Sequence, residues 1–156
     1  MPLDVNNPIS LGTLDNALRN AQEPSLDIFC KIINSACTRV FALARTERLD
    51  RVIHLAEIGA WTEAMLALIE LELPLWQIRR LAYENGEWLC SLSRQPNLPM
   101  MLDDCAEATH EVLPLVMLCA FVEACRRRHT MQESISTVPQ VRQPQAGHFI
   151  CCENYR

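Results

Sequence analysis

The 156-residue chain is 49% hydrophobic and 21% charged, with 14 basic and 19 acidic residues and a net charge of −5. This length is enough for one domain with its own core, and the hydrophobic share exceeds that of a disordered chain. An acidic chain repels phosphate backbones, so nucleic-acid binding is disfavoured. The glycines are too far apart for the phosphate-binding loops of dinucleotide-binding and P-loop proteins, which excludes those classes. They are Gly12, Gly59, Gly86 and Gly147.

The sequence gives no sign of export or of a membrane span. The N-terminus lacks a basic segment followed by a long apolar segment, so no secretory signal is expected. The longest uncharged apolar run, residues 112–122, is too short to cross a bilayer and contains Pro114. We therefore expect a cytoplasmic protein without membrane association.

Eight cysteines occur without any Cys-x-x-Cys spacing, which argues against a zinc site. Most of them lie in apolar helical patterns, where a thiol acts as a small buried hydrophobic group. Cys151 and Cys152 are adjacent in the tail and are expected to be exposed.

Apolar spacing predicts a mainly helical domain over residues 11–130. A polar stretch with two prolines precedes it, which predicts a flexible arm over residues 1–10. A segment rich in Gln, Ser and Pro follows it, which predicts a disordered tail over residues 131–156. A short helix, capped by Ser10 or Thr13, is expected to end at about residue 22. Further helices are expected at about 25–45, 48–58, 62–73 and 103–129. The last is expected to be kinked or restarted at Pro114 and capped by Asp103 or by a box of Asp104 and Glu107.

Residues 76–93 predict a β-hairpin, so the expected fold class is α+β. The dipeptide Asn85-Gly86 suits the two positive-φ positions of a type I′ turn. That turn would place Tyr83 opposite Trp88, Leu81 opposite Cys90 and Arg79 opposite Leu92. A two-stranded ribbon is marginal alone, so its apolar face is expected to pack on helices or on a partner's sheet.

The segment that contains the predicted hairpin resembles a group of known proteins. Residues 79–99, Arg-Arg-Leu-Ala-Tyr-Glu-Asn-Gly-Glu-Trp-Leu-Cys-Ser-Leu-Ser-Arg-Gln-Pro-Asn-Leu-Pro, are followed by Asp-Asp and later by Glu-Ala-Thr-His-Glu. This pattern resembles small alphaproteobacterial proteins of unknown function, over about the central half of the chain. The resemblance implies a bacterial source and no particular activity.

Two histidine–carboxylate pairs are the candidate metal ligands. Glu107 and His110 have the Glu-x-x-His spacing used in di-iron helical bundles, and His54 and Glu57 have the reverse order. If the two predicted helices face each other, these four residues form a mononuclear site. The alternative is that both pairs are solvated helix faces. A Cys105–His110 nucleophile pair is disfavoured, because five residues along one helix turn the side chains about 140° apart.

The run Arg126-Arg127-Arg128-His129 is the only basic cluster. Four consecutive helical positions point all round the axis, so they form no single stripe for a groove. Cations in the last turn of a helix interact favourably with its dipole, which explains the cluster without a ligand. Binding of an acidic partner is the alternative.

These observations favour a non-enzymatic interaction or assembly protein, with a homodimer formed through the hairpin or through an apolar helix face. The expected partner is a second copy or another protein, and no cofactor is expected. The alternative is a protein, an enzyme included, that binds a metal ion or small ligand through His54, Glu57, Glu107 and His110.

Overall fold

A computed structural model describes residues 11–42 and 47–136. Helices and a three-stranded antiparallel sheet confirm the expected α+β class, mostly helical. The arm over residues 1–10 and the pair Cys151-Cys152 lie outside the described residues, as does the tail from residue 137. The elements are α1 (Leu11–Asn20), α2 (Leu26–Ala36), α3 (Thr38–Ala42), α4 (Glu47–Glu57), α5 (Trp61–Glu72), β1 (Gln77–Glu84), β2 (Glu87–Ser93), β3 (Ala106–His110) and α6 (Leu113–Ser136).

The predicted hairpin is present as β1 and β2. Asn85 has φ 55° and Gly86 has φ 88°, both in the positive-φ region that the turn requires. The expected pairs of Tyr83 with Trp88 and of Leu81 with Cys90 are confirmed. The expected pair of Arg79 with Leu92 is wrong, because a register shift between residues 78 and 80 brings Ile78 opposite Leu92 instead.

The predicted helix over residues 103–129 is wrong at its beginning. Residues Ala106–His110 form β3, which pairs antiparallel with β2, and α6 begins only at Leu113. Glu107 is therefore a strand residue and cannot complete a capping box with Asp104. Pro114 lies in the first turn of α6, where its missing N–H leaves no hydrogen bond unmade. The helix continues to Ser136, past the expected end near residue 129.

The helix expected over residues 25–45 is divided at Cys37. That residue has φ −93° and ψ 78°, outside the helical region, and separates α2 from α3. The backbone N–H groups of Arg39 and Val40, at the start of α3, donate to the Glu72 carboxylate of α5. The Glu72 side chain of α5 thus caps the N-terminus of α3, and this cap stabilises the break between α2 and α3.

Helix α6 is the centre of the core. It is buried on all sides from Leu115 to Val122 and packs against α1, α2, α5, β2 and β3. One face of β2 and β3 covers it, through Cys90, Leu92 and Ala106. Strand β1 lies at the edge of the sheet opposite to β3, and it does not cover α6. In the described part of the chain, no helix combines the length and apolarity needed to cross a bilayer.

Candidate functional site

The structure does not bring the four candidate metal ligands together. His54 and Glu57 are exposed on α4, with Nδ1 and Oε2 3.8 Å apart. Glu107 and His110 lie on β3, where an odd spacing puts side chains on opposite faces of the sheet. His110 accepts a hydrogen bond at Nδ1 from the Val112 N–H. Among the described residues, no group of three or more His, Cys, Asp and Glu side chains could hold a metal ion.

The positions of Cys105 and His110 also argue against a cysteine–histidine nucleophile pair. Residues 105 and 110 are separated by an extended segment of about 17 Å, at roughly 3.4 Å per residue. Burial raises the pKa of the Cys105 thiol, and its hydrogen bond to the Asp103 carboxylate raises it further. Burial raises the pKa of Cys90 to about 12 and that of Cys119 to about 11. Thiols with raised pKa values are poor nucleophiles and fit the expected packing role.

The basic run on α6 does not form a patch. Arg126 and Arg127 bind Glu123 on the same helix, and Arg127 also binds Asp104. Arg128 points into the protein and pairs with Glu72 at 2.6 Å. The explanation by the dipole at the helix end is wrong, because α6 continues for seven residues beyond this run, to Ser136. The guanidinium groups of Arg126, Arg127 and Arg128 are instead paired with specific carboxylates.

The exposed edge of β1 is the feature that best fits a functional surface. Leu81 is 38% exposed and Tyr83 is 59% exposed on the sheet face that continues onto the core. The Tyr83 ring contacts the Trp88 ring, with centroids 5.2 Å apart. On the opposite face, Arg80 and Glu84 form an exposed ion pair of 2.5 Å along the strand. The edge therefore carries apolar side chains on one face and a pair of opposite charges on the other.

A long loop between β2 and β3 is fastened beside this strand. The Arg79 guanidinium binds the Asp103 carboxylate and donates to the Leu98 carbonyl at 2.7 Å. Ser93 Oγ donates to the same carboxylate at 2.6 Å. These hydrogen bonds, with that of the Cys105 thiol, hold the pKa of Asp103 below its ordinary value. The anchored loop exposes large apolar side chains, those of Met100, Met101 and Leu102.

The sequence indicated the hairpin edge but not the anchored loop. The signal for the loop was an apolar stretch, Leu98-Pro99-Met100-Met101-Leu102, in a segment predicted to be irregular. The ion pair of Arg79 with Asp103 joins residues 24 positions apart, and no local pattern specifies it.

Comparison of the chain with protein-family models, with curated proteins and with solved structures finds no match.

Proposed function

We propose that the chain is a non-enzymatic assembly protein that forms a homodimer by pairing its β1 edge with that of a second copy. The observation that carries this proposal is the pattern of exposed side chains on β1. When two copies of this strand lie antiparallel, the side chains of one copy complement those of the other. An unpaired edge presents free backbone N–H and C=O groups, and strand addition satisfies them.

The backbone geometry selects the residues that face the second copy. In a hairpin with a two-residue turn, the residues that flank the turn exchange hydrogen bonds with each other. Glu84 and Glu87 are those residues, so Glu84 and Ala82 direct their backbone groups toward β2. Leu81 and Tyr83 then direct theirs toward the edge that no other strand in residues 11–42 and 47–136 occupies, where they can pair with a strand of another chain.

A two-fold axis at Ala82 makes the side chains complementary. In antiparallel pairing around this residue, Leu81 lies opposite the partner's Tyr83, and Arg80 lies opposite the partner's Glu84. Each pair occurs twice, as the two-fold symmetry of a dimer requires. Aromatic–apolar pairs and opposite charges are the cross-strand combinations that stabilise sheets. Arg80 and Glu84 already pair within one strand, and the dimer would extend this pair into a four-charge network.

The anchored loop extends the same interface. Around the same axis, Arg79 of one copy lies opposite the partner's Asn85. The loop that Arg79 fastens therefore comes beside the turn of the second copy. Its exposed side chains at Met100 and Met101 would add apolar area to an interface that strand pairing alone keeps narrow.

The cysteines support an intracellular setting for this assembly. The six in the described residues, Cys30 among them, are all unpaired thiols. Proteins with many free thiols are typical of reducing compartments, and we place the dimer in the cytoplasm on this ground.

A charge-swap series tests the interface by sedimentation equilibrium. Arg80→Glu places like charges opposite each other at two symmetric positions, and Glu84→Arg does the same. We expect either single substitution to weaken the dimer by about 1.4 kcal/mol, which is tenfold in Kd. The double variant Arg80→Glu with Glu84→Arg restores opposite charges and should recover the original Kd.

The matched control for Arg80→Glu is Lys31→Glu, which makes the same change in net charge at an exposed ion pair on α2. It should leave the Kd unchanged. A wild-type protein that remains monomeric up to about 1 mM would contradict the proposal, since weaker association is not specific assembly. Equal Kd values for the single and double variants would also contradict it.

A further inference from the structure

A second feature of the molecule, separate from the β1 edge, is a pocket of about 150 Å³ where the chain passes from α5 to β1. Trp76, which is buried, contributes its wall, and Leu75 is exposed at the rim. Three arginines from three different parts of the chain also line the pocket, namely Arg39 of α3, Arg94 after β2 and Arg128 of α6.

The charge in this pocket is only partly balanced. Glu72 is the carboxylate among the lining residues, and Arg128 pairs with it at 2.6 Å. Glu72 also accepts the backbone N–H groups of Arg39 and Val40, so both of its oxygens already have partners. The three guanidinium groups and one carboxylate leave a net charge of about +2 in a partly apolar recess.

The two remaining guanidinium groups have no carboxylate partner within the described residues. Arg94 donates only to the sulfur of Met131 at 3.4 Å, which is a weak acceptor. The Arg39 side chain makes no hydrogen bond or ion pair in residues 11–42 and 47–136, although its backbone N–H is bonded to Glu72. Both arginines are exposed. They are therefore available to an external anion.

We propose that this pocket binds the phosphate group of a small phosphate monoester. A dianionic phosphate matches the net charge of +2, whereas a monocarboxylate neutralises only half of it. Guanidinium groups bind phosphate oxygens through paired N–H donors, and two arginines from different elements can grip one phosphate from two sides. Trp76 and Leu75 provide apolar contact for a short carbon substituent.

The volume limits the size of the ligand. The recess of about 150 Å³ is small beside the usual ligand pockets of about 300–1,000 Å³. It therefore suits a phosphate group with a short carbon substituent, in agreement with the absence of glycine-rich phosphate loops from the sequence.

Isothermal titration calorimetry of the full chain tests the proposal, with inorganic phosphate, methyl phosphate and acetate as probes at constant ionic strength. We expect saturable binding of both phosphates, with methyl phosphate at least as tight as inorganic phosphate and acetate at least tenfold weaker. The double variant Arg39→Ala with Arg94→Ala should weaken phosphate binding at least tenfold. Both residues are exposed, so circular dichroism should show an unchanged fold.

The matched control is Arg48→Ala with Arg51→Ala, which removes two exposed arginines from α4, away from the pocket. This variant has the same net charge as the pocket variant and should bind phosphate as the wild type does. Equal weakening in the two variants would show a general charge effect and overturn the proposal. The absence of saturable phosphate binding in the wild type would overturn it as well.

Discussion

The buried carboxylate of Glu72 connects four helices. It is fully buried at the end of α5, caps α3 and pairs with Arg128 of α6. Arg128 in turn donates to the Ala36 carbonyl at the end of α2. Buried ion pairs are not strongly stabilising relative to apolar substitutes, but removing one partner leaves the other charge without compensation.

Glu72→Gln is therefore expected to lower the free energy of unfolding by about 3 kcal/mol, because Arg128 loses its counter-charge in a mostly buried position. Urea unfolding followed by circular dichroism measures the change. Glu70→Gln, an exposed neighbour on the same helix, should change stability by less than about 0.5 kcal/mol. A similar loss in both variants would refute the role of the ion pair.

Asp103 makes stability dependent on pH. Hydrogen bonds from Ser93, Cys105 and Arg79 hold its pKa in the folded state below the unfolded value of about 3.9. A depressed pKa contributes stability that is present above the unfolded value and is lost as the pH falls through the folded value. Asp103→Asn should therefore be less stable than the wild type at pH 7, and the difference should shrink as the pH falls below about 4.

The measurement is a series of urea titrations between neutral and acid pH, with Glu70→Gln as the reference for general acid effects. A stability difference between Asp103→Asn and the wild type that is constant with pH would contradict this assignment. The ion pairs of Glu72 with Arg128 and of Asp103 with Arg79 were not predictable from the sequence. Each joins residues that are distant along the chain, and only the assembled fold specifies it.

Among the elements, the hairpin depends on the backbone of its turn. An added Cβ at Gly86 would meet no atom within 4 Å, so its φ of 88° is the only obstacle to a side chain. Gly86→Ala should lower the free energy of unfolding by about 1–2 kcal/mol, the strain of a left-handed residue. Thermal and urea unfolding both report it. Asn85→Gly keeps positive φ accessible and should change stability far less; equal losses would show that the turn conformation is not the cause.

The hairpin was predictable because a two-residue turn carries a strong local signal, and the register near it followed directly. Strand β3 was not, because Glu107 and its alanine neighbours favour helix by intrinsic propensity. The free edge of β2 overrides that preference, since pairing with it satisfies the backbone and buries Ala106 against α6. The metal hypothesis depended on helical spacing at Glu107 and His110, and this spacing is absent because both residues lie on β3.

For the whole molecule, the apolar run over residues 112–122 has a clear role. The length of this run argues against a membrane span, and in the structure residues 113–122 form the first part of the central helix α6. The predicted class and the sheet edge follow from local patterns. The pocket beside Trp76 requires residues from α3, the end of β2 and α6 together, and its arginines are dispersed in the sequence. Local sequence patterns could therefore indicate the proposed assembly surface on β1. They could not indicate the proposed ligand pocket.

The network around Arg128 also has a consequence for the order of folding. This arginine donates to Thr38, 90 residues earlier, and to the Glu72 carbonyl, 56 residues earlier. Contacts between residues so far apart form only when the intervening helices are in place, because closing a long loop costs entropy that local contacts do not. We therefore expect the network to form late in folding. Interactions absent from the transition state slow unfolding rather than accelerate folding, so we expect Arg128→Ala to raise the unfolding rate more than it lowers the folding rate.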